Sequence, residues 1–403
     1  MKRLIFFFLC TFGCVQALPV HAPAHERGKP ATIKILVKEE AEGALLEVKG
    51  SYKVINPENG KSLSSGRSGK RFYLFAKKDG LKWGENYPGI YQIRIVPLDH
   101  TTTMLINGIQ YRGALEIYLV DHKLSVINEL DVETYLKSTL GSRLKVSVPA
   151  PVLDAIAIVE RTNAYYTALV NHDAFYHVRA EDVNYQGYGL ILDDLELDRA
   201  IDDTRYLIMT YDAQPFATTW TENCAGRTAS YHSIFRKNTT TPQGVISRFA
   251  EKDRKDFHWT YAISSEVLAK LAKVNRITGI ELFHDHKSGK IYGIRVKDGS
   301  HAEDIDFSTF QKAIGQSKLL SNDFTAKIKG DRILFEGYGK GIGVGLCLYS
   351  ASQMAEAGEM APKMLAEFYP YTHVEKMRSY PEMIISPSKE YFISPKGRRG
   401  AED

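Results

Sequence analysis

The chain of 403 residues is 44% hydrophobic, 25% charged and 11% aromatic, an ordinary globular composition with room for two or three domain-sized cores. A net charge of +4 and a pI near 8.6 exclude a basic nucleic-acid arm or an acidic tail as the dominant feature. Four cysteines exclude a disulfide-stapled scaffold and a cysteine-rich zinc domain.

The first segment reads as an address rather than as fold. Lys2 and Arg3 precede an apolar stretch from Leu4 to Val15, too short for a bilayer span and suited to a secretory signal, with cleavage after Ala17. Thr11-Phe12-Gly13-Cys14 offers a competing lipoprotein box, with lipidation at Cys14. Both readings export the chain to the periplasm or cell envelope. Cleavage after Ala17 leaves 50 basic against 48 acidic residues, and only Cys224 and Cys347.

After a spacer over 18–30, alternating and β-rich runs predict strands at 32–37, 44–48, 71–76, 90–96, 103–106, 114–120 and 123–128, with an Asn59-Gly60 turn between. This half, 31–130, is expected to be a mostly antiparallel β domain. Pro149 and Pro151 bracket a helix start, with Val152, Ile156, Val159, Asn163 and Tyr166 on one face. A second helix fits 195–206, and strand-like runs follow at 207–211 and 215–220. Within 256–330, a smaller α/β module, Ser264 or Ser265 caps a helix to 272, 280–284 and 291–296 form a hairpin, and 308–314 is a short helix. A strand at 332–336, a glycine-rich run from Gly337 to Gly345, and helices at 348–356 and 364–368 close the chain. The segment 331–375 is expected to return to the central core, 131–255, and 376–403 reads as a flexible tail. The fold class is α+β: a β-rich N-terminal part, then a helix/strand core whose cleft the glycine-rich segment completes.

The obvious constellations carry little chemistry by themselves. The glycine run lacks the spacing of a phosphate loop and reads as a tightly packed structural loop. His284-Asp285-His286 fits a solvated turn better than a metal site, and His172 and His177 read as satisfied surface groups. Cys224 has Glu222 nearby but no neighbouring histidine to serve as base. Asp193-Asp194, Asp202-Asp203 and Glu181-Asp182 read as solvated faces or caps. No cofactor, metal or nucleic-acid partner is expected.

Several segments together resemble one family. Tyr135-Leu136, Gly141-Ser142-Arg143, Pro149 and Ala155 to Thr162, then Asp182 to Gly187, Cys224-Ala225-Gly226-Arg227-Thr228, Gly339 to Ala351 and Met364 to Pro370 follow the order and spacing of SpoIID/LytB proteins, the stage II sporulation protein D and amidase-enhancer group. Ile106 to Gly113 and Val126 to Leu130 fit as well, so the resemblance runs over roughly residues 30–375. It implies lytic cleavage of peptidoglycan glycan strands whose stem peptides an amidase has removed. Partnership with an N-acetylmuramoyl-L-alanine amidase or with divisome proteins is implied too. That chemistry needs one carboxyl group, in a partly desolvated cleft, to protonate the glycosidic oxygen.

The sequence departs from the pattern at the decisive positions. Arg143 stands where the family has its acidic residue, and arginine does not release a proton near neutral pH. Ile342 and Leu348 replace the family's His and Gln in the glycine-rich motif, Thr221 replaces a further His, and Arg227 a polar residue. Two explanations stand open. In one, the site engages glycan strands without cutting them, through Ser142, Arg143, Tyr185, Arg227, Gly341, Gly343 and Gly345, with the arginines pairing to muramic-acid carboxylates. In the other, a relocated acid restores activity, Glu222 being the first candidate and Glu160, beside Arg161, the second. A non-catalytic envelope scaffold is the third alternative. Cys224 and Cys347, both inside the resembling motifs, are a candidate disulfide.

Overall fold

A computed structural model describes residues 30–188, 195–299 and 301–380. The expected signal segment with Cys14, the expected spacer up to residue 29, the Asp193-Asp194 pair and the chain beyond 380 lie outside them. The fold is α+β, with two separate hydrophobic cores.

The N-terminal half forms two packed sheets. One has seven strands, in the order Val178–Arg179, Thr32–Ala41, Lys123–Asp131, Ala114–Val120, Gln92–Pro97, Tyr52–Ile55 and Ser62–Gly66. The other has six, in the order Ile109–Tyr111, Thr103–Ile106, Gly43–Lys49, Lys70–Lys77, Gly80–Trp83 and Glu85–Pro88. Alternation decides the faces: Ile33 and Ile35 of the first strand are buried, as are Leu46 and Val48 of the second, while the residues between them face outward. Trp83 fills the gap between the sheets and donates its indole N–H to the Leu46 carbonyl at 3.1 Å.

Helix α1 (Val132–Arg143) follows directly from the strand Lys123–Asp131, with the Asp131 carboxylate accepting from the Thr134 N–H at 3.0 Å as N-cap. The sequence reading left this segment without an element. Helix α2 (Ala150–Val170) starts where the prolines predict. It is not one-faced: Ala155, Ile158, Arg161, Thr162, Ala164 and Tyr165 are buried as well as Val152, Ile156 and Val159. The reason is its central position. The sheets, α3 (Leu195–Asp203), the strand Leu207–Thr210 and the helices Leu348–Glu356 and Ala361–Phe368 all pack on it.

The second core belongs to a module of two three-stranded sheets and the helices Ser265–Leu271 and Phe307–Ile314, filled by Trp259, Leu268, Ile294, Phe307, Phe310 and Phe335. The strand Arg332–Tyr338, expected with the glycine-rich segment, is the central strand of one of these sheets. The chain therefore returns to the main core only at Gly339.

The expected tail also begins later than residue 376. The strand His373–Lys376 pairs antiparallel with Leu207–Thr210, Met377 is buried, and the Tyr165 hydroxyl donates to the Met377 carbonyl at 2.6 Å. Ala31 N–H donates to the Arg378 carbonyl at 2.9 Å, so both ends of the described chain meet over α2.

Candidate functional site

The position that departs most from the family pattern lies at the last residue of α1. There the Arg143 guanidinium donates to both oxygens of Glu160 on α2, at 2.7 and 2.8 Å. This fork-to-fork geometry is the strongest form of the pair. The Glu160 side chain is only 4% exposed, while that of Arg143 is 29% exposed. A third donor, the Trp220 indole N–H, reaches Glu160 Oε1 at 2.7 Å, and the Arg143 guanidinium stands 5.9 Å from a Trp220 ring centroid. The adjacent carboxylate raises Arg143 further above the ordinary guanidinium range. Three donors facing two oxygens suit a carboxylate acting as acceptor, not a carboxyl delivering a proton. Burial beside Glu160 raises the Tyr135 phenol as well.

Glu160 is salt-bridged, but to Arg143 and not to its sequence neighbour Arg161, because successive helical residues do not face each other. Arg161 is fully buried and pairs with Glu133 at the start of α1 at 2.8 Å, and also donates to the Ile201 and Leu207 carbonyls. The two ends of α1 are thus tied to two adjacent residues of α2.

Trp220 comes from a short stretch, Trp220–Thr221, that lies parallel to Leu346–Cys347. The glycine run folds against this stretch. A Cβ at Gly341 (φ 103°) would lie 2.3 Å from Thr221 Oγ1, and one at Gly345 (φ 75°) 2.0 Å from the Thr219 carbonyl oxygen. Only glycine permits that approach in that backbone region. The Thr221 hydroxyl donates to the Lys340 carbonyl at 2.9 Å and accepts from the Gly343 N–H at 3.3 Å. Gly341, Gly343 and Gly345 therefore serve chain-to-chain packing; Gly343 packs against Lys290 and Asn322 of the module. The positions that resemble histidine and glutamine sites have become packing positions too. Thr221 and Leu348 are buried, and Ile342 is half-buried against the module core.

The remaining expected residues scatter. Ser142 donates to the Thr139 carbonyl at 2.9 Å and closes the end of α1. Tyr185, expected to face a ligand, is buried instead: its hydroxyl donates to Asn128 Oδ1 at 2.5 Å and its ring leans on Tyr111. Arg227 is exposed and lines a cavity of about 430 Å³ with Ser230, His232, Gln243, His286 and Lys287; Arg143 is not among its walls. The two arginines do not converge on one ligand. Glu222 lies beside the glycine run and pairs with Lys340 at 2.6 Å.

Cys224 and Cys347 come together, both buried, with the Cys224 N–H donating to Cys347 Sγ at 3.3 Å; both are free thiols. The hydrogen bond to Cys347 and burial push the Cys224 thiol up. Burial opposes charge on Cys347, but hydrogen bonds from Cys224 and from the Ser350 N–H prevail and pull it down. Beneath them lies a network absent from the sequence reading. Lys290, 1% exposed, donates to the Cys224 carbonyl at 2.6 Å and to Asp323 at 2.7 Å, and Arg254 donates to both Asp323 oxygens. These cations hold Asp323 below the usual carboxylate range against its burial. Trp220 also went unread as a site residue, although its rarity, one of three tryptophans in the chain, was the available signal.

The fold and this corner define an α+β protein whose central helix carries a buried carboxylate held by an arginine and a tryptophan, next to a glycine-rich return of the chain. Residues 120–211, from the strand Lys123–Asp131 through α1, α2 and α3, match the family model SpoIID, described as stage II sporulation protein. Such a domain suggests a cell-wall related role. Proteins of Chlamydia muridarum and Chlamydia pneumoniae are each 36% identical over 179 residues, 44% of this chain. The matched region spans 62% and 65% of the length of those two relatives. A Brachyspira hyodysenteriae protein is 28% identical over 330 residues, 80% of this chain and 87% of its own length. All three are described as uncharacterized proteins.

Proposed function

We propose that the protein is an exported cell-envelope member of its family that engages peptide-stripped peptidoglycan glycan strands without the lytic cleavage the family resemblance implies. One observation carries this reading: Arg143 occupies the acid position and is locked in a bidentate pair with Glu160, whose carboxylate also accepts from Trp220. The corner then offers neutralised, hydrogen-bonding groups and an indole edge to a sugar, and no carboxyl poised to give up a proton. The partners that follow are the glycan strand itself and an amidase or divisome protein working on the same wall.

The test is to incubate the mature chain with peptide-stripped sacculi and to identify both the bound protein and the sugar ends. The expected result is co-sedimentation with no anhydro-muramic products. Products that disappear in Glu222→Gln would overturn it in favour of the relocated acid. Neither binding nor products would leave a scaffold.

A further inference from the structure

The outer face of the six-stranded sheet carries a cluster that the cleft does not use. On the strand Lys70–Lys77, Tyr73 and Phe75 are 56% and 44% exposed. Two large aromatics in the open on one face are costly unless something covers them. Tyr73 and Phe75, two residues apart, project from the same face, and their rings stack at 5.7 Å between centroids and 26° between planes. Phe75 is paired across the ladder with Gly43, and its ring carbons lie 3.6 and 3.9 Å from where a Gly43 Cβ would be. The Phe75 ring thus lies against the neighbouring strand, and the two rings form one exposed aromatic pair.

Around this pair cations outnumber carboxylates, although Glu47 shares the face. Residues 67–82 contain Arg67, Lys70, Arg71, Lys77, Lys78 and Lys82 against the single carboxylate Asp79. Lys70 is engaged by Glu85, and Arg71 lies 3.6 Å from Glu47. Among the described residues, Lys77, Lys78 and Lys82 have no carboxylate within ion-pair distance, and Lys82 is the ladder partner of Phe75. An exposed aromatic pair with lysines at its rim complements a ligand that is itself a ribbon with apolar faces and regularly spaced anions. A pyranose ring presents a face of C–H groups that packs on an aromatic ring as other apolar surface does. A glycan freed of its peptides exposes one lactyl carboxylate on each muramic acid, matched to lysines at the rim.

We infer that Tyr73 and Phe75, with Lys77, Lys78 and Lys82, form a second binding site, remote in sequence from the cleft, for an anionic glycan strand. The inference rests on the glycan-engaging reading above. It makes the protein two-handed: the platform grips the strand, raising the effective concentration of glycan at the cleft.

The experiment measures affinity of the mature full-length chain for peptide-stripped glycan strands, for neutral chitin oligosaccharides and for phosphatidylglycerol vesicles. Variants are Tyr73→Ala, Phe75→Ala and Lys77→Glu/Lys82→Glu, each checked for an unchanged thermal midpoint. Tyr73→Ala serves as the control should loss of Phe75 over Gly43 disturb the sheet. Each aromatic variant is expected to weaken binding about tenfold to both glycans, the scale of one stacking ring. The charge variant should weaken binding to the carboxylated strands alone, and less so at high salt. If the wild-type chain binds glycan and every variant binds equally well, the platform is overturned while the glycan reading stands. If the wild type binds no glycan, that reading falls and takes the platform with it. If the variants lose vesicle binding alone, the patch is a membrane surface and the inference is overturned.

Discussion

Helix α1 is fastened to α2 by an arginine–glutamate pair at each end, and the two pairs are built for different ends. Glu133–Arg161 is sealed, with the arginine fully buried and its remaining donors spent on the Ile201 and Leu207 carbonyls. Arg143–Glu160 has the same chemistry but stands open on the arginine side, with a tryptophan as its third member. A sealed pair fixes the packing of α1, α2 and α3. An open one fixes only a carboxylate and leaves N–H groups on display. The difference teaches that the same ion pair can serve as an internal fastener at one end of a helix and as a half-open polar wall at the other.

The comparison breaks most visibly at the sealed end. Arg161→Ala strands the Glu133 carboxylate in the interior and is expected to cost about 3–5 kcal/mol in urea unfolding. Glu133→Leu with Arg161→Met should recover most of that loss, since an apolar replacement needs no partner. At the open end Arg143→Ala should cost only about 2 kcal/mol, because Trp220 still donates to Glu160 and water reaches the gap. Equal costs at both ends would erase the distinction.

A titration outside both pairs sharpens it. His177 Nδ1 accepts from the Lys34 N–H at 3.2 Å, which requires a neutral ring; burial and the Lys34 charge pull its pKa from 6.5 down to about 4. The unfolded imidazole therefore takes its proton first. Stability is lost as pH falls from about 6.5 to about 4, by about 2 kcal/mol after allowance for partial exposure. Urea midpoints across that range should be flatter in His177→Gln, and an unchanged slope would shift the acid sensitivity to the carboxylates. The smallest effect is expected for Glu222→Gln, below about 1 kcal/mol, as for any pair half in water. A larger loss would show that Glu222 does more than meet Lys340.

The strands of the N-terminal half were legible because one face of each is buried and the period of two survives in the residues, as at Ile33, Ile35 and Leu46, Val48. α1 was not, because its buried side includes Glu133, Ser138 and Thr139, which break an apolar stripe. Ser138 and Thr139 donate back to the Thr134 and Tyr135 carbonyls one turn earlier, whereas Glu133 is satisfied by Arg161, 28 residues on, which no local window shows. The glycine run was legible as a packing device, but its partners Thr219 and Thr221 lie more than a hundred residues earlier. Arg143 stood out as a departure from the family pattern. That Glu160 neutralises it was hidden, since 17 residues and a pair of prolines separate the two. The direction in which adjacent helical residues diverge was the one local hint that Glu160 and Arg161 have separate partners.

The Tyr369 hydroxyl binds the Thr219 carbonyl and accepts from the Leu346 N–H at 3.1 Å, joining the last helical stretch to chain made 150 residues earlier. During synthesis the ribosome delivers α2 long before the helices and strand that cover it. The module between, with its own core, can close while α2 still waits. A nascent chain stopped at residue 338 would then carry one finished body and one with an uncovered apolar helix. Completion of the main core thus waits for the stretch after residue 338, well over a hundred residues after α2.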